Sequence, residues 1–206
     1  MNQNSQKTKS ELLKEDSFAF IKKVYSLPTA SKNILAKSFG KPITKADMPT
    51  LCEFYKTWTG EQNEYPGWTK KEAACFFTAT AICYYSKTYL KNKINAEDAE
   101  NKEYMRLEDI LHEIYYNPAY QNMDTHFNKL FNCSLTPVGR LEKELATIMK
   151  MHSNQVFVNT DWTKLICDLI WWDGGISTRS YPAKRNWAKA IFMNYKSAKT
   201  TKNEGE

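Results

Sequence analysis

Apolar residues recur along most of the chain at intervals of three and four, which is the spacing of an amphipathic helix. Phe18, Ile21 and Val24 share one side of a first predicted helix, which ends before Pro28. A second helix is expected to stop at Gly40, since glycine commonly follows a helix C-terminus. No convincing alternation of apolar and polar residues occurs, so the pattern predicts helices rather than strands.

The most apolar predicted helix follows a capping-box sequence formed by Thr69 and Glu72. In such a box the threonine hydroxyl accepts from the glutamate amide, and the glutamate side chain accepts from the threonine amide. The stretch that follows, 73–86, carries no charged residue. We therefore expect this helix to be the buried centre of an N-terminal bundle.

Helical patterns resume after a polar and charged stretch. Leu107, Ile110 and Ile114 share one face of a helix that Pro118 ends, and others follow toward the C-terminus. The chain is predicted to be all-α, with two small helical sub-bundles packed together. The predicted divisions are a flexible N-terminal arm (1–15), an N-terminal helical sub-bundle (16–92), a linker (93–104), a C-terminal helical sub-bundle with basic faces (105–197) and a disordered tail (198–206).

The five cysteines are widely spaced, form no CxxC pair and mostly have apolar neighbours. We expect them to be buried, reduced thiols of a cytoplasmic protein. The first residues are polar and lack the apolar segment of a secretory signal. The longest apolar stretch, from Ala73 to Tyr85, is shorter than the roughly 20 residues that a membrane span needs. No membrane partner is predicted.

The net charge of +6 is unevenly distributed. Residues 1–94 carry +7, residues 95–124 carry −6 and residues 125–206 carry +5, so an acidic waist separates two basic halves. Basic halves favour a polyanionic partner such as nucleic acid. A lysine-rich surface that is merely solvated would give the same totals, so charge by itself leaves both interpretations open.

Two predicted helices separate cations from apolar residues. In the helix from Pro137 to about His152, apolar side chains occupy one side, and Arg140, Lys143 and Lys150 occupy the other. A solvated face would normally mix charges of both signs at salt-bridge spacing. An ordinary solvated face nevertheless remains an open interpretation of this helix.

The last predicted helix has Trp187 on its apolar side, whereas Lys184, Arg185 and Lys189 lie elsewhere on its surface. The loop before it contains two glycines, several hydroxylated residues and Arg179. Small hydroxylated residues around an arginine are suited to phosphate contacts. A flexible surface loop would have a similar composition, so this alternative also stays open.

Signatures of catalysis are missing from the sequence. His112 and Glu113 begin like the zinc-protease motif HExxH, but Tyr116 stands where the second histidine ligand is needed. Neither a nucleophile elbow nor a phosphate-binding glycine loop occurs. We expect a protein that is not an enzyme and uses no metal or organic cofactor.

A specific pattern of tryptophan, leucine and charged residues lies near the C-terminus. It reads Asp161-Trp162, Leu165, Leu169, Trp172-Asp173 and, after a short loop, Arg185-x-Trp187-Ala188-x-x-x-Phe192. This pattern resembles the signature of the CasB family, the small subunits of the type I-E CRISPR surveillance complex Cascade. A looser likeness extends from about residue 18 to residue 196.

The resemblance implies an all-helical, non-catalytic, cytoplasmic protein of antiviral defence. CasB proteins sit in Cascade as a pair, here expected to be a homodimer, beside the other Cascade subunits that hold the crRNA. Their basic faces steady the target DNA and the displaced strand of the R-loop through backbone contacts. The candidate contact residues in this chain are Arg140, Lys143, Lys150, Arg179, Lys184, Arg185 and Lys189, with Lys22, Lys23, Lys32 and Lys37 as secondary candidates.

A helical protein–protein scaffold without direct nucleic-acid binding is the alternative. Its basic faces would meet acidic surfaces of partner proteins, and the acidic waist would serve as a docking edge. The sequence therefore supports two different functions, which differ in the class of macromolecule that the basic faces contact.

Overall fold

The computed structural model describes residues 7–58, 69–89, 104–135, 140–152, 156–173 and 183–193. Within these ranges the protein is all-α, as the periodicity predicted, and contains no strand. Short 3-10 turns cover Ile43–Lys45 and Val156–Asn159. The α-helices are α1 (Lys9–Ser26), α2 (Thr29–Ala36), α3 (Met48–Thr57), α4 (Lys70–Tyr89), α5 (Leu107–Tyr116), α6 (Met123–Phe131), α7 (Leu141–Lys150), α8 (Trp162–Ile170) and α9 (Ala183–Phe192).

Helix α1 begins earlier than the sequence predicted. Thr8 caps it in a capping box with Glu11, whose backbone amide donates to the Thr8 hydroxyl at 3.3 Å. Residues 9–15 are therefore the first turns of α1, where a flexible arm was expected. The capping pair was the signal for this start, because it satisfies amides that a frayed end would leave to water. Residues 1–6 lie outside the described residues.

Helix α4 forms the centre of the core. Its predicted capping box is present: the Glu72 amide donates to the Thr69 hydroxyl at 3.1 Å, and the Thr69 amide donates to the Glu72 carboxylate at 2.7 Å. Every side chain from residue 73 to residue 85 is buried except Tyr84, which is half-buried. Helices α1 and α2 lie against α4, and so does α8 from the distant C-terminal part. A continuous core thus contains residues from both predicted sub-bundles.

Contacts at the start and in the middle of α5 hold α5, α8 and α9 together. At its start, Met105 forms a short parallel bridge, accepting from the Asp161 amide at 2.8 Å and donating to the Asn159 carbonyl at 2.8 Å. Farther along α5, Nδ1 of His112 forms a 2.7 Å hydrogen bond with the backbone oxygen of Ile191 in α9. The histidine of the incomplete HExxH motif therefore joins two helices. Residues 93–103 of the predicted linker and the predicted tail lie outside the described residues.

All five cysteines are free thiols. Cys75, Cys83 and Cys133 are buried and Cys167 is half-buried, but Cys52 is exposed. The expectation of burial was wrong for Cys52, because α3 buries the side that carries Phe54. No helix among the described residues is long and apolar enough to cross a bilayer. Across the same ranges, no group of His, Cys, Asp or Glu side chains could hold a metal ion.

Candidate nucleic-acid interface

Two tryptophans of the C-terminal pattern form the junction between α8 and α9. Trp172 and Trp187 are fully buried, with ring centroids 5.1 Å apart and planes inclined by 85°. The Trp172 indole donates to the Cys133 carbonyl at 3.0 Å, and the Trp187 indole donates to Asp168 at 2.8 Å. Buried indole N–H groups usually have such partners. The junction therefore fixes α9 against α8 and against the segment that follows α6.

A cluster of three charged side chains, Glu108, Lys164 and Asp168, packs against this junction. The ammonium of Lys164 lies between two carboxylates, pairing with Glu108 of α5 at 2.8 Å and with Asp168 on its own helix. Burial opposes the charge on Lys164, yet the two carboxylates outweigh it and raise the pKa of the ammonium. Asp168 thus accepts from both Lys164 and Trp187, which links α5, α8 and α9.

The cations of α9 differ in their surroundings. Arg185 and Lys189 are exposed and lie four residues apart, which places them on one side of the helix. Lys184 is less exposed, because its ammonium pairs with Asp173 at 3.2 Å and lies 5.8 Å from the centre of the Trp172 ring. Helix α9 therefore presents two exposed cations and a third beside a carboxylate. Arg179 lies outside the described residues.

Helix α7 carries its predicted cations at its two ends. Arg140 and Lys143 are exposed at the N-terminal end, and neither is in an ion pair with any residue that the structure describes. Lys150, at the other end, turns its ammonium back onto the protein. It donates to the Phe39 carbonyl at 3.1 Å and lies 5.4 Å from the centre of the Tyr84 ring. Burial lowers the pKa of this ammonium, although Lys150 as a whole residue is exposed. Its charged end contacts the protein, and its contact with nucleic acid stays a prediction.

Charges from α7 and from the start of α9 both act on the Cys133 thiol. Burial raises the pKa of this thiol, Glu144 and Glu142 of α7 raise it further, and the positive charges of Arg140 and Lys184 act to lower it. The segment that follows α6 is therefore influenced by charges of both signs.

An open groove with a cavity volume of about 400 Å³ lies between α6, α9 and the two residues 172–173, which follow α8. Its lining combines aromatic, amide, cationic and acidic side chains: Asn128, Phe131, Trp172, Asp173, Lys184, Arg185, Ala188 and Phe192. The sequence analysis did not identify Asn128, Phe131 and Phe192 as site residues. Both phenylalanines belong to apolar faces, and helical spacing cannot distinguish a buried ring from one that lines an open groove.

The four secondary candidates on α1 and α2 are not equivalent. Lys22 and Lys23 are exposed, and the Lys22 ammonium lies 4.6 Å from the centre of the Phe18 ring. Lys37 is exposed at the end of α2. Lys32 is 8% exposed and donates to the Tyr25 carbonyl at 2.7 Å, near the C-terminal end of α1. The Lys32 ammonium thus satisfies a helix-end carbonyl instead of facing solvent, and this placement does not favour the predicted contact with nucleic acid.

No protein-family model matches this chain, and neither a curated protein nor a solved structure matches it.

Proposed function

We propose that this protein is a non-catalytic small subunit of a type I-E CRISPR Cascade complex. Its basic helix faces would bind the backbone of target and displaced DNA and stabilise the R-loop. The observation that carries the proposal is the pair Arg140 and Lys143, exposed and without an ion pair among the described residues; α9 adds two further exposed cations. Other Cascade subunits, the crRNA and a second copy of the chain are the proposed partners.

The residues that carry the resemblance to CasB have a structural role in this protein, and that role supports the proposal. Asp161 caps α8, Trp172 and Trp187 form the junction, and Asp173 pairs with Lys184. The signature therefore builds a rigid support for α9, whose cations lie outside the buried part of the pattern. A cationic surface held on a rigid support needs little reordering to bind phosphate.

Backbone binding is suited to a complex in which base pairing reads the sequence. The crRNA pairs with the target strand, so a small subunit needs only to neutralise phosphates on the strands it holds. Each neutralised phosphate releases condensed counterions, which makes the affinity fall steeply with salt. The protein is therefore expected to bind unrelated DNA sequences with similar affinities.

Two of the four described carboxylates of the acidic waist are engaged within the protein. Glu108 is 4% exposed and paired with Lys164, and Asp109 accepts both guanidinium bonds of Arg106 at 2.7 Å. The other two, Glu113 and Asp124, are exposed. The docking edge that the scaffold alternative requires would therefore have to be built from these two outward-facing carboxylates.

Charge reversal at Arg140 and Lys143 tests the proposal. The double variant Arg140→Glu/Lys143→Glu should weaken binding of unrelated single-stranded and duplex DNAs alike. It should also shorten the R-loop lifetime in the assembled complex. The slope of log affinity against log salt should fall by roughly 0.7 to 0.9 for each lost phosphate contact.

The matched control reverses two exposed lysines of α1, Lys9 and Lys14, and makes the same change in net charge. This control should retain most of the affinity and the original salt slope. If DNA binding and R-loop lifetime are the same in both variants and in the unchanged protein, the assignment of the site to α7 is wrong.

A further inference from the structure

We propose that the groove between α6, α9 and residues 172–173 takes an unpaired nucleobase of a single strand. The base would stack on Phe192 while Lys184 and Arg185 hold the adjoining phosphate. This inference rests on the proposed function and narrows it, because it assigns single-stranded nucleic acid to one end of the basic surface. Backbone binding by α7 does not require it.

Phe192 combines partial exposure with packing against other aromatic rings. It is 38% exposed, although it belongs to an apolar cluster. The Tyr115 ring is nearly perpendicular to it with centroids 5.0 Å apart, and Phe131 packs beside it at 5.6 Å. The hydroxyl of Tyr116 donates to the Phe192 carbonyl at 3.3 Å. A ring fixed in this way offers a preformed face, and stacking on it costs little side-chain entropy.

Phe131 continues this aromatic surface along the groove. Its ring lies nearly parallel to that of Trp172, with a 14° angle between the planes and 5.9 Å between the centroids. Trp172 cannot contact a ligand broadly, since it is fully buried, but its hydrogen bond to Cys133 holds the layer beneath Phe131 in place. Phe131 and Phe192 therefore form the apolar part of the groove, an aromatic ledge that rests on buried rings.

The polar side chains of the groove match the remaining parts of a nucleotide. Arg185 and Lys184 supply positive charge beside the ledge, as a phosphate requires. Asp173 is also in the groove and pairs with Lys184 at 3.2 Å, so the two charges offset each other and Arg185 supplies the net positive charge. The exposed amide of Asn128 can both donate to and accept from a base edge.

These features favour a single strand over a duplex. In a duplex the base faces are covered by neighbouring base pairs, so an aromatic ledge has nothing to stack on. Single-strand binders combine a cationic track with aromatic rings, and stacking tolerates any base because each has a π-face. The groove volume of about 400 Å³ is of the size found for sites that take small ligands.

The test compares three probes on the full-length protein: a thymidine hexanucleotide, a hexamer with the same backbone but abasic sugars, and a blunt duplex. The hexanucleotide should bind roughly 5- to 150-fold more tightly than the abasic hexamer, which is the range measured for one stacked base. Phe192→Leu should reduce that ratio to near one without changing duplex affinity. Phe192→Tyr, which keeps a stacking ring, should preserve it.

Phe18→Leu is the matched control, since Phe18 is 48% exposed and also lies beside a lysine, Lys22. It should leave the ratio unchanged. Equal, salt-dependent binding of both hexamers by the unchanged protein would overturn the stacking inference and leave backbone binding intact. The stacking inference would also be overturned if Phe192→Leu kept the full preference for the hexanucleotide over the abasic hexamer. If none of the three probes binds, the proposed function itself fails.

Discussion

The indole N–H of Trp187 donates a 2.8 Å hydrogen bond to the carboxylate of Asp168, and this contact joins α9 to α8. The same carboxylate pairs with Lys164, which reaches across to Glu108 of α5. Three helices therefore meet at one charged group beneath the basic surface. The orientation of the α9 cations depends on this buried contact, although none of its members is itself placed to bind phosphate.

Trp187→Phe should lower the free energy of unfolding by about 2 to 4 kcal/mol, through lost ring volume and the lost hydrogen bond. Urea denaturation followed by circular dichroism measures this change. Trp171→Phe is the matched control, because Trp171 is 51% exposed on the neighbouring turn. It should change stability by no more than about 0.5 kcal/mol. Equal losses in the two variants would contradict the structural role of Trp187.

Lys143 and Lys150 should differ in nucleic-acid binding although both lie on α7. Lys143→Met removes an exposed cation and should reduce the salt slope of DNA binding by roughly 0.7 to 0.9. Lys150→Met should leave that slope unchanged, because its ammonium is directed at the Phe39 carbonyl. DNA titrations at several salt concentrations measure the slope for each variant. A larger slope change in Lys150→Met than in Lys143→Met would contradict the inward orientation of the Lys150 ammonium.

Gly40 should not tolerate a side chain. Its φ of +85° favours glycine, and a Cβ at this position would lie 2.8 Å from the Cβ of Ala146 on α7. Gly40→Ala is therefore expected to cost about 1 to 3 kcal/mol of unfolding free energy. Thermal and urea denaturation measure the loss, and a neutral substitution would contradict this close approach between the α2 end and α7.

Ala146→Gly separates the two sources of that loss. By itself it should destabilise α7 by about 1 kcal/mol, since glycine is a poor helix former. In the Gly40→Ala background it should cost less or even stabilise, because it removes the clashing Cβ. A double-mutant cycle with no coupling would show that backbone strain at Gly40, and not contact with Ala146, accounts for the cost.

Local patterns predicted the helices well, but they could not predict where long side chains end. The capping residues Thr69 and Glu72 lie three positions apart, so their bond was visible in the sequence. Lys150, in contrast, contacts the Phe39 carbonyl 111 residues away, and no periodicity encodes that contact. The α7 stripe was therefore predicted as a continuous cationic face, whereas one of its ends packs onto aromatic rings.

Local sequence patterns could not predict the groove either, because residues far apart in the sequence form it. Phe131 and Phe192 come from different helices, and their rings lie together only because Trp172 and Trp187 fix α9 in place. Each phenylalanine by itself fits an ordinary apolar face. The sequence could therefore predict the tryptophan junction as core, but not the open aromatic ledge beside it.

Glu142 should make stability depend on pH. It is 2% exposed, Oε2 has no hydrogen-bond partner within the described structure, and burial raises the pKa of its carboxyl from 4.5 to about 7. Between these values the folded protein binds a proton that the unfolded chain has lost. The free energy of unfolding therefore falls as pH rises through this window, by about 3 kcal/mol in total.

Glu142→Gln removes this titration and keeps the shape of the side chain. Relative to the unchanged protein, the variant should be more stable at pH 8 and similar at pH 4.5, where Glu142 is protonated in the folded state and about half protonated in the unfolded chain. Glu144→Gln, two residues along the same helix and less buried, is the control and should leave the pH dependence in place. Urea denaturation from pH 4.5 to pH 8.5 measures the difference. Parallel stability curves for the unchanged protein and Glu142→Gln would show that Glu142 does not titrate in this window.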